Sequence, residues 1–189
     1  MTAQIYLRVT GPDLPIPTMG PLVMGAMEIR PARRSDVEAI DAMYGHYVRT
    51  TPYSFELTPP SPEARLRWFA EHAPTGRHRI LVADAGDVIG FASSSRYRPR
   101  GAYDPSVETS IYVAPALRGR GVGLRLYEAL FEALAGEDVH RAYAGITMPN
   151  PASVALHERV GFTRAGYFTE QGRKFGRYWD VAWYEKRLG

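Results

Sequence analysis

The sequence predicts a single α/β domain, built as one mixed sheet with helices on both faces. A chain of 189 residues suffices for one ordinary hydrophobic core but is short for two domains. Apolar residues recur with period two in some segments and at helical spacing in others, in the order β-α-α-β-β-β-α-β-α-β-β. This order contains both hairpins and crossover helices, and that mixture requires a mixed sheet.

The boundaries of these elements follow from periodicity, turns and helix caps. Ser35 and Glu38 fit a capping box that starts the first helix. Asn150 and Pro151 begin the last helix as N-cap and first helical residue, and Gly161 ends it. The other predicted helices cover 62–71 and 121–135. The predicted strands cover 28–30, 79–83, 88–95, 107–113, 141–147, 162–168 and 178–185.

Residues 1–26 differ in character from the rest of the chain. Prolines and glycines interrupt them, and no helical period is present. They also lack the basic start and compact apolar stretch of a signal peptide. We expect a loose N-terminal extension over 1–26, with Met27 as an alternative start of the native product, and a folded domain over 27–189. The alternative is an ordered arm that packs on a partner subunit.

Composition excludes several classes of function. The chain has no Cys, which excludes a disulfide framework, a Cys-based zinc site and a cysteine nucleophile. No apolar run approaches the length of about 18 residues that a transmembrane helix needs. The net charge of +3 is mildly basic, and no run of Lys or Arg resembles a nucleic-acid-binding arm. We therefore expect a cytoplasmic protein with no metal, no membrane contact and no nucleic-acid partner.

The segment 113–123, VAPALRGRGVG, carries the strongest functional signal. It joins a predicted strand to a helix N-terminus, where glycines allow a sharp turn and free N–H groups favour phosphate. A Walker loop is excluded because Gly123 is followed by Leu124 instead of Lys, and a dinucleotide fingerprint would need glycine at the same position. The remaining pattern is Arg-x-x-Gly-x-Gly, formed by Arg118, Gly121 and Gly123. The alternative is a Gly-rich turn without a ligand.

This pattern resembles the pyrophosphate-binding turn of the GNAT acetyltransferases. The segment 110–115 is similar to the GNAT strand that precedes the turn. The segment 150–162 is similar to a second GNAT signature, in which Asn starts a helix that closes with Gly-Phe. The likeness spans residues 28–187. It implies the GNAT fold, with a central, mostly antiparallel sheet, and an acetyl-coenzyme A-dependent N-acetyltransferase domain over 27–189.

A closer likeness indicates the phosphinothricin and methionine sulfoximine N-acetyltransferase branch. It is carried by residues 45–55, 102–104, 108–113, 156–158 and 172–181. The resemblance implies transfer of an acetyl group to the amine of a small amino-acid-like acceptor. Phe175 replaces the His of some phosphinothricin-specific members, which favours an acceptor of the methionine sulfoximine or methionine sulfone type.

The resemblance also implies which residues hold the cofactor. We expect acetyl-coenzyme A to place its pyrophosphate on the Gly-rich turn and its pantetheine arm against the backbone of Val113. Asn150 has two interpretations, since it is either the helix N-cap only or also a contact of the cofactor arm. The predicted cofactor-binding residues are Tyr112, Val113, Arg118, Gly119, Arg120, Gly121, Val122, Gly123, Asn150 and Ser153.

Glu108 is the candidate general base. Amide formation from a thioester needs an unprotonated amine, and an α-amine is mostly protonated at pH 7. Glu108 lies on the strand that leads into the turn, on the face opposite Val107 and Thr109. In the resembled branch a Glu at this place is taken as the base, often acting through water. A solvated carboxylate is the alternative, and Asp104 is a weaker candidate that better fits a turn.

Three further residues complete the predicted site. His157 follows Asn150 by seven residues, on nearly the same helix face, and is either the acid for the leaving thiolate or a packed structural residue. Arg98 stands where the branch carries a cation near the substrate and could bind a substrate carboxylate. The alternative for Arg98 is a surface position in an arginine-rich loop. Phe55 is either a wall of the acceptor pocket or an ordinary buried aromatic.

The aromatic strand over 178–184 is a predicted dimer surface. Trp179 and Trp183 alternate with Tyr178 and Tyr184, which gives the strand large side chains on both faces. A domain of this size has difficulty burying all four, and exposed aromatic patches often mark interfaces. We therefore expect a homodimer, which is also usual in the resembled branch.

Two other functions remain open at this point. A GNAT enzyme that acetylates protein N-termini or side chains would need an open peptide groove. A non-catalytic module would bind a nucleotide or coenzyme A at the Gly-rich turn. Loss of the Glu108 carboxylate would then have no effect on its function.

Overall fold

A seven-stranded sheet forms the centre of the fold in the computed structural model, which describes residues 27–189. The strands are β1 (Glu28–Pro31), β2 (Arg79–Asp84), β3 (Val88–Arg96), β4 (Ser106–Val113), β5 (Arg141–Thr147), β6 (Thr163–Lys174) and β7 (Arg177–Arg187). The helices are α1 (Val37–Thr50), α2 (Pro62–Ala70), α3 (Val122–Leu134) and α4 (Pro151–Arg159). The predicted order of elements is confirmed. The predicted extension over 1–26 lies outside the described residues.

The sheet is mixed and mostly antiparallel, as predicted. Its strand order is β1-β2-β3-β4-β5-β7-β6, and only β4 and β5 are parallel neighbours. Those two strands pair over three residues each, Ser106–Glu108 against Arg141–Tyr143. Beyond Glu108 they separate, so the sheet opens between the C-terminal ends of β4 and β5. One residue further along β4, the Thr109 hydroxyl still donates a hydrogen bond to the Tyr143 carbonyl of β5 at 3.3 Å.

Helices cover both faces of the sheet. On one face, α3 buries Leu126 and Leu130 against β-strand residues such as Val107. On the other face, α1 packs Ile40 near Phe91 of β3, and α2 adds partly buried aromatics. The alternation predicted for β4 follows the same division, because Val107 and Ile111 join the α3 side whereas Tyr112 joins the α1 and α2 side. Within 27–189 no helix is both long and apolar enough to span a membrane.

The start of α1 differs from the predicted capping box. Residues Arg34–Asp36 form a 3-10 turn, and α1 begins at Val37. The Asp36 carboxylate accepts a hydrogen bond from the Arg33 amide at 2.7 Å and pairs with Arg30 at 2.7 Å. Arg30 also pairs with Asp84 of β2 at 2.8 Å. The prediction that Ser35 caps this helix was therefore wrong, because a buried ion-pair network fixes the turn through Asp36.

The β6–β7 hairpin is longer than predicted. Strand β6 continues to Lys174, although the sequence indicated an end near Phe168. The extension pairs with β7, for example Gly172 with Trp179. Both residues of its turn, Phe175 and Gly176, have positive φ angles, at 53° and 76°. The strand was underestimated because it is exposed and polar, so it has no hydrophobic alternation.

Candidate active site

Glu108 lies where β4 and β5 separate. It is the last β4 residue in register with β5, opposite Tyr143, and it faces Ser95 of β3 on the other side. Its side chain is half-buried, and it has no hydrogen-bond or ion-pair partner within the described part of the chain. Burial raises the pKa of the Glu108 carboxyl, and the charge of Arg98 opposes that rise. A carboxylate whose pKa is raised toward neutrality is suited to accept a proton.

Arg98 lies near Glu108 on an aromatic platform. The ring of Tyr97 stacks on Tyr143 with centroids 4.4 Å apart, and the Arg98 guanidinium lies 4.9 Å from the Tyr97 centroid. Arg98 itself is exposed. The structure thus brings an exposed cation close enough to the candidate base to interact with its charge. Asp104 instead contacts Arg96 at 3.5 Å and follows a 3-10 turn, which favours the turn role over that of a base.

The Gly-rich turn presents a cluster of free backbone amides. Gly119 and Gly121 have positive φ angles of 76° and 82°, and Gly121 is the N-cap of α3. Its N-cap position has no side-chain hydrogen bond. Within residues 27–189, five successive or nearly successive amides have no hydrogen-bond partner, those of Gly119, Gly121, Val122, Gly123 and Leu124. Together with the positive end of the helix dipole, these amides have the chemistry of an anion site.

The remaining residues of the turn have different roles. A Cβ on Gly123 would lie 3.0 Å from Leu156 and 3.5 Å from Ile111, so this glycine allows α3 to pack closely on β4 and α4. Arg118 and Arg120 are exposed beside the turn. Arg125, which also carries charge in this region, donates to the Met27 carbonyl at 2.9 Å.

A hydrogen bond joins the C-terminal end of β4 to α1. The hydroxyl of Tyr47 donates to the Val113 carbonyl at 2.6 Å, so that the carbonyl predicted to meet the pantetheine arm has a protein partner. The ring of Tyr112 packs against Tyr44, Tyr47 and Phe91, with centroids 5.1 to 5.3 Å away. The Tyr112 ring is therefore used in packing, and its contact with the cofactor stays a prediction. No pattern in the sequence indicates the Tyr47 contact.

The first turn of α4 has the predicted cap. The Asn150 Oδ1 accepts from the Ser153 amide at 3.2 Å. The N-cap interpretation of Asn150 is therefore confirmed, and its contact with the cofactor arm stays a prediction, as does that of Ser153. Gly161 ends the helix with a φ of 90°, as predicted.

His157 lies on α4, and its side chain packs into the core. Its side chain is 3% exposed, and Tyr127 and Phe162 surround the ring. Nδ1 lies 2.7 Å from the Ser153 carbonyl and must donate to it, so Nε2 accepts from the Tyr127 hydroxyl at 2.9 Å. Burial lowers the pKa of His157 and keeps it neutral. These contacts favour the structural alternative over the acid role, because the only ring N–H is used internally.

Phe55 belongs to the α1–α2 loop, residues 51–61, which contacts the β6–β7 hairpin. Its ring lies against Gly172, where an added Cβ would be 2.3 Å from the ring. Phe55 is 38% exposed, so it is not an ordinary buried aromatic. The loop is linked to β4 through Tyr44, whose hydroxyl is 2.7 Å from the Ser54 hydroxyl and whose ring meets Tyr112.

The sequence matches the Acetyltransferase (GNAT) family over residues 40–162. The chain belongs to this family. It is an N-acetyltransferase that uses acetyl-coenzyme A, and the predicted fold, enzyme class and co-substrate are confirmed. Among residues 27–189, no group of three or more His, Asp or Glu side chains is arranged to hold a metal ion.

The relatives also support the predicted branch. The phosphinothricin N-acetyltransferase of Streptomyces coelicolor is 50% identical over 86% of this chain and 96% of its own length. The L-methionine sulfoximine/L-methionine sulfone acetyltransferase of Pseudomonas paraeruginosa is 35% identical over 85% and 94%. A phosphinothricin acetyltransferase from Sinorhizobium meliloti, solved in complex with acetyl-coenzyme A, matches with a TM-score of 0.79. That structure is 34% identical over 87% of this chain and 89% of its own chain.

Proposed function

We propose that this enzyme acts in the cytoplasm and acetylates the amine of a small amino-acid-like acceptor of the phosphinothricin, methionine sulfoximine or methionine sulfone type. The observation that carries the proposal is the half-buried carboxylate of Glu108 at the opening between β4 and β5, which has no hydrogen-bond or ion-pair partner among residues 27–189. The same strand leads to the free amides of the Gly-rich turn. The named activities of the relatives support the choice of acceptor.

The proposed reaction is a direct attack assisted by a base. Glu108 accepts a proton from the acceptor ammonium, directly or through water. The free amine nitrogen then forms a bond to the thioester carbonyl carbon, the carbon–sulfur bond breaks, and the second amine proton ends on the leaving thiolate. The amides of Gly119 and of Gly121 to Gly123 bind the pyrophosphate, and the backbone near Val113 guides the pantetheine arm. Fixing both reactants in this way supplies much of the rate enhancement.

A panel of amines tests this function. Each amine is mixed with acetyl-coenzyme A, and release of the free thiol is measured. We expect turnover with methionine sulfone and methionine sulfoximine. If the enzyme acetylates a peptide N-terminus but no free amino acid, the protein-acetylating alternative is supported. Cofactor binding without turnover of any amine would support the non-catalytic alternative.

Arg98→Ala should raise KM for carboxylated acceptors by about ten- to a hundredfold, the scale of a lost charge-assisted hydrogen bond. The proposed reason is that the exposed guanidinium near Glu108 binds the acceptor carboxylate. Amines without a carboxylate should be almost unaffected. Steady-state kinetics with both classes of amine measure the effect, and Arg100→Ala, which changes another exposed arginine of the same loop, is the control. Equal losses for both classes would make Arg98 a structural residue.

The enzyme is further proposed to be a homodimer. The predicted surface on β7 needs correction, because Tyr184 is only 3% exposed whereas Tyr178 is 58% exposed. Exposed aromatics lie instead on β6, at Tyr167 and Phe168, and in the hairpin turn at Phe175. Strand β6 is an edge of the sheet, and the backbone of an edge strand together with exposed aromatic side chains favours pairing with another chain. Light scattering at micromolar concentration should report a dimer, and a monomer alone would contradict the proposal.

A further inference from the structure

Lys174 is a buried ammonium at the end of an exposed strand. It and Lys186 are the only lysines in the chain. Lys174 is 3% exposed, and its Nζ donates to the backbone carbonyl of Ser54 at 2.6 Å. Its partner is thus a neutral carbonyl, and Glu56 attracts it only from beyond ion-pair distance. Lysine is rarely buried in this way, because removing the charge from water is costly.

This contact fixes the α1–α2 loop at the residue before Phe55. Ser54 is held on two sides, by Lys174 through its carbonyl and by Tyr44 through its hydroxyl. Phe55 then lies against Gly172, two residues before Lys174 on the same strand. The loop is therefore joined to the β6–β7 hairpin by one polar contact and one apolar contact at adjacent positions.

The same arrangement connects the loop to the strand of the candidate base. Tyr44 contacts Tyr112 of β4, and Glu108 lies four residues earlier on that strand. The position of Phe55 relative to Glu108 is consequently set by a chain of contacts that ends at Lys174.

We propose that Lys174 is a positioning residue for acceptor recognition, which holds Ser54 and thereby keeps Phe55 against Gly172 as a wall for the acceptor. This inference rests on the proposed function and on the predicted role of Phe55 as a wall of the acceptor pocket. The ligand concerned is the side chain of an amino-acid-like amine. Acetyl-coenzyme A is held elsewhere, at the Gly-rich turn, so Lys174 acts on one substrate and not on the other.

The first test is Lys174→Met, which keeps the length of the side chain and removes the ammonium. KM for methionine sulfone should rise about tenfold, the scale of one lost hydrogen bond to a charged group, with KM for acetyl-coenzyme A unchanged. Lys174→Gln retains an N–H donor for the Ser54 carbonyl and should recover part of the loss. Lys186→Met is the matched control, since Lys186 lies over Phe131, 5.2 Å from its centroid, and should behave as wild type.

A double-mutant cycle separates positioning from general stability. If Lys174 acts through Phe55, then Lys174→Met should add little to KM once Phe55→Ala is present. Gly172→Ala pushes the Phe55 ring from its place by another route and should also raise only the acceptor KM. If Lys174→Met does not fold, Gly172→Ala must show this selective rise.

The outcomes distinguish the two levels of the inference. Three results would overturn the role of Lys174 while leaving acetyl transfer by the wild type in place. They are equal increases in the KM values for acceptor and acetyl-coenzyme A, additive effects of Lys174→Met and Phe55→Ala on the acceptor KM, and an unchanged acceptor KM in Gly172→Ala. A wild-type enzyme that acetylates no amino acid would overturn the proposed function and this inference with it.

Discussion

Glu108→Gln is expected to lower kcat by about a hundredfold or more at neutral pH, the usual scale for loss of a general base. The amide has the same shape but cannot accept the amine proton. Glu108 has no hydrogen-bond or ion-pair partner among residues 27–189, so the fold should tolerate the change and cofactor affinity should stay nearly constant. Thiol-release kinetics and thermal shifts with acetyl-coenzyme A measure the two quantities. Glu132→Gln, on an exposed position of α3, is the control.

The role of Glu108 as a base also predicts the direction in which activity changes with pH. A base works when it is deprotonated, so activity should fall as pH drops through the Glu108 pKa, which burial raises above its ordinary value. Arg98 lowers that pKa, so Arg98→Ala should move the acidic limb of kcat/KM to higher pH. Full activity of Glu108→Gln at neutral pH would show that the base lies elsewhere or is unnecessary.

Gly121→Glu should abolish the thermal stabilisation by acetyl-coenzyme A and leave a folded protein. A Cβ at this position meets no atom within 4 Å, so the side chain has room, and the positive φ costs about 1–3 kcal/mol. The carboxylate would then stand over the free amides where the pyrophosphate is proposed to bind. In the wild type, ligand at about a hundred times Kd should stabilise by about 2.7 kcal/mol.

Gly121→Ala provides the matched control for this variant. It carries the same φ cost without the negative charge, and a cofactor-induced shift in Tm should therefore survive. Scanning calorimetry with and without acetyl-coenzyme A compares the two variants. An undiminished shift in Gly121→Glu would place the pyrophosphate site away from the turn.

The order and faces of the fold were predictable because they depend on short-range patterns. The alternation along β4 and the caps at Asn150 and Gly161 each follow from residues within a few positions of one another. The capping box at Ser35 failed because Arg30 pairs with Asp84, 54 residues away, and holds Asp36 in the turn. A pattern of neighbouring residues cannot predict an ion pair with a residue so far along the chain.

The residues of the candidate site likewise fall into those that local sequence predicts and those that depend on distant contacts. Glu108 and the Gly-rich turn could be found from one strand and the turn that follows it. The contact of Tyr47 with Val113 joins residues 66 positions apart, and that of Lys174 with Ser54 joins residues 120 apart. Neither contact produces a period or a motif in the sequence. The internal hydrogen bonds of His157 likewise depend on Tyr127 from another helix, so its two interpretations could be separated only in three dimensions.

The short junction between β4 and β5 has a mechanical consequence. Within residues 27–189, β1–β4 and β5–β7–β6 are two half-sheets that pair through three residue pairs of the sheet. A ligand that occupies the opening contacts both half-sheets and opposes their separation. Binding free energy at this place is therefore added to the cohesion between the halves, and the domain should unfold more cooperatively when the opening is filled than when it is empty.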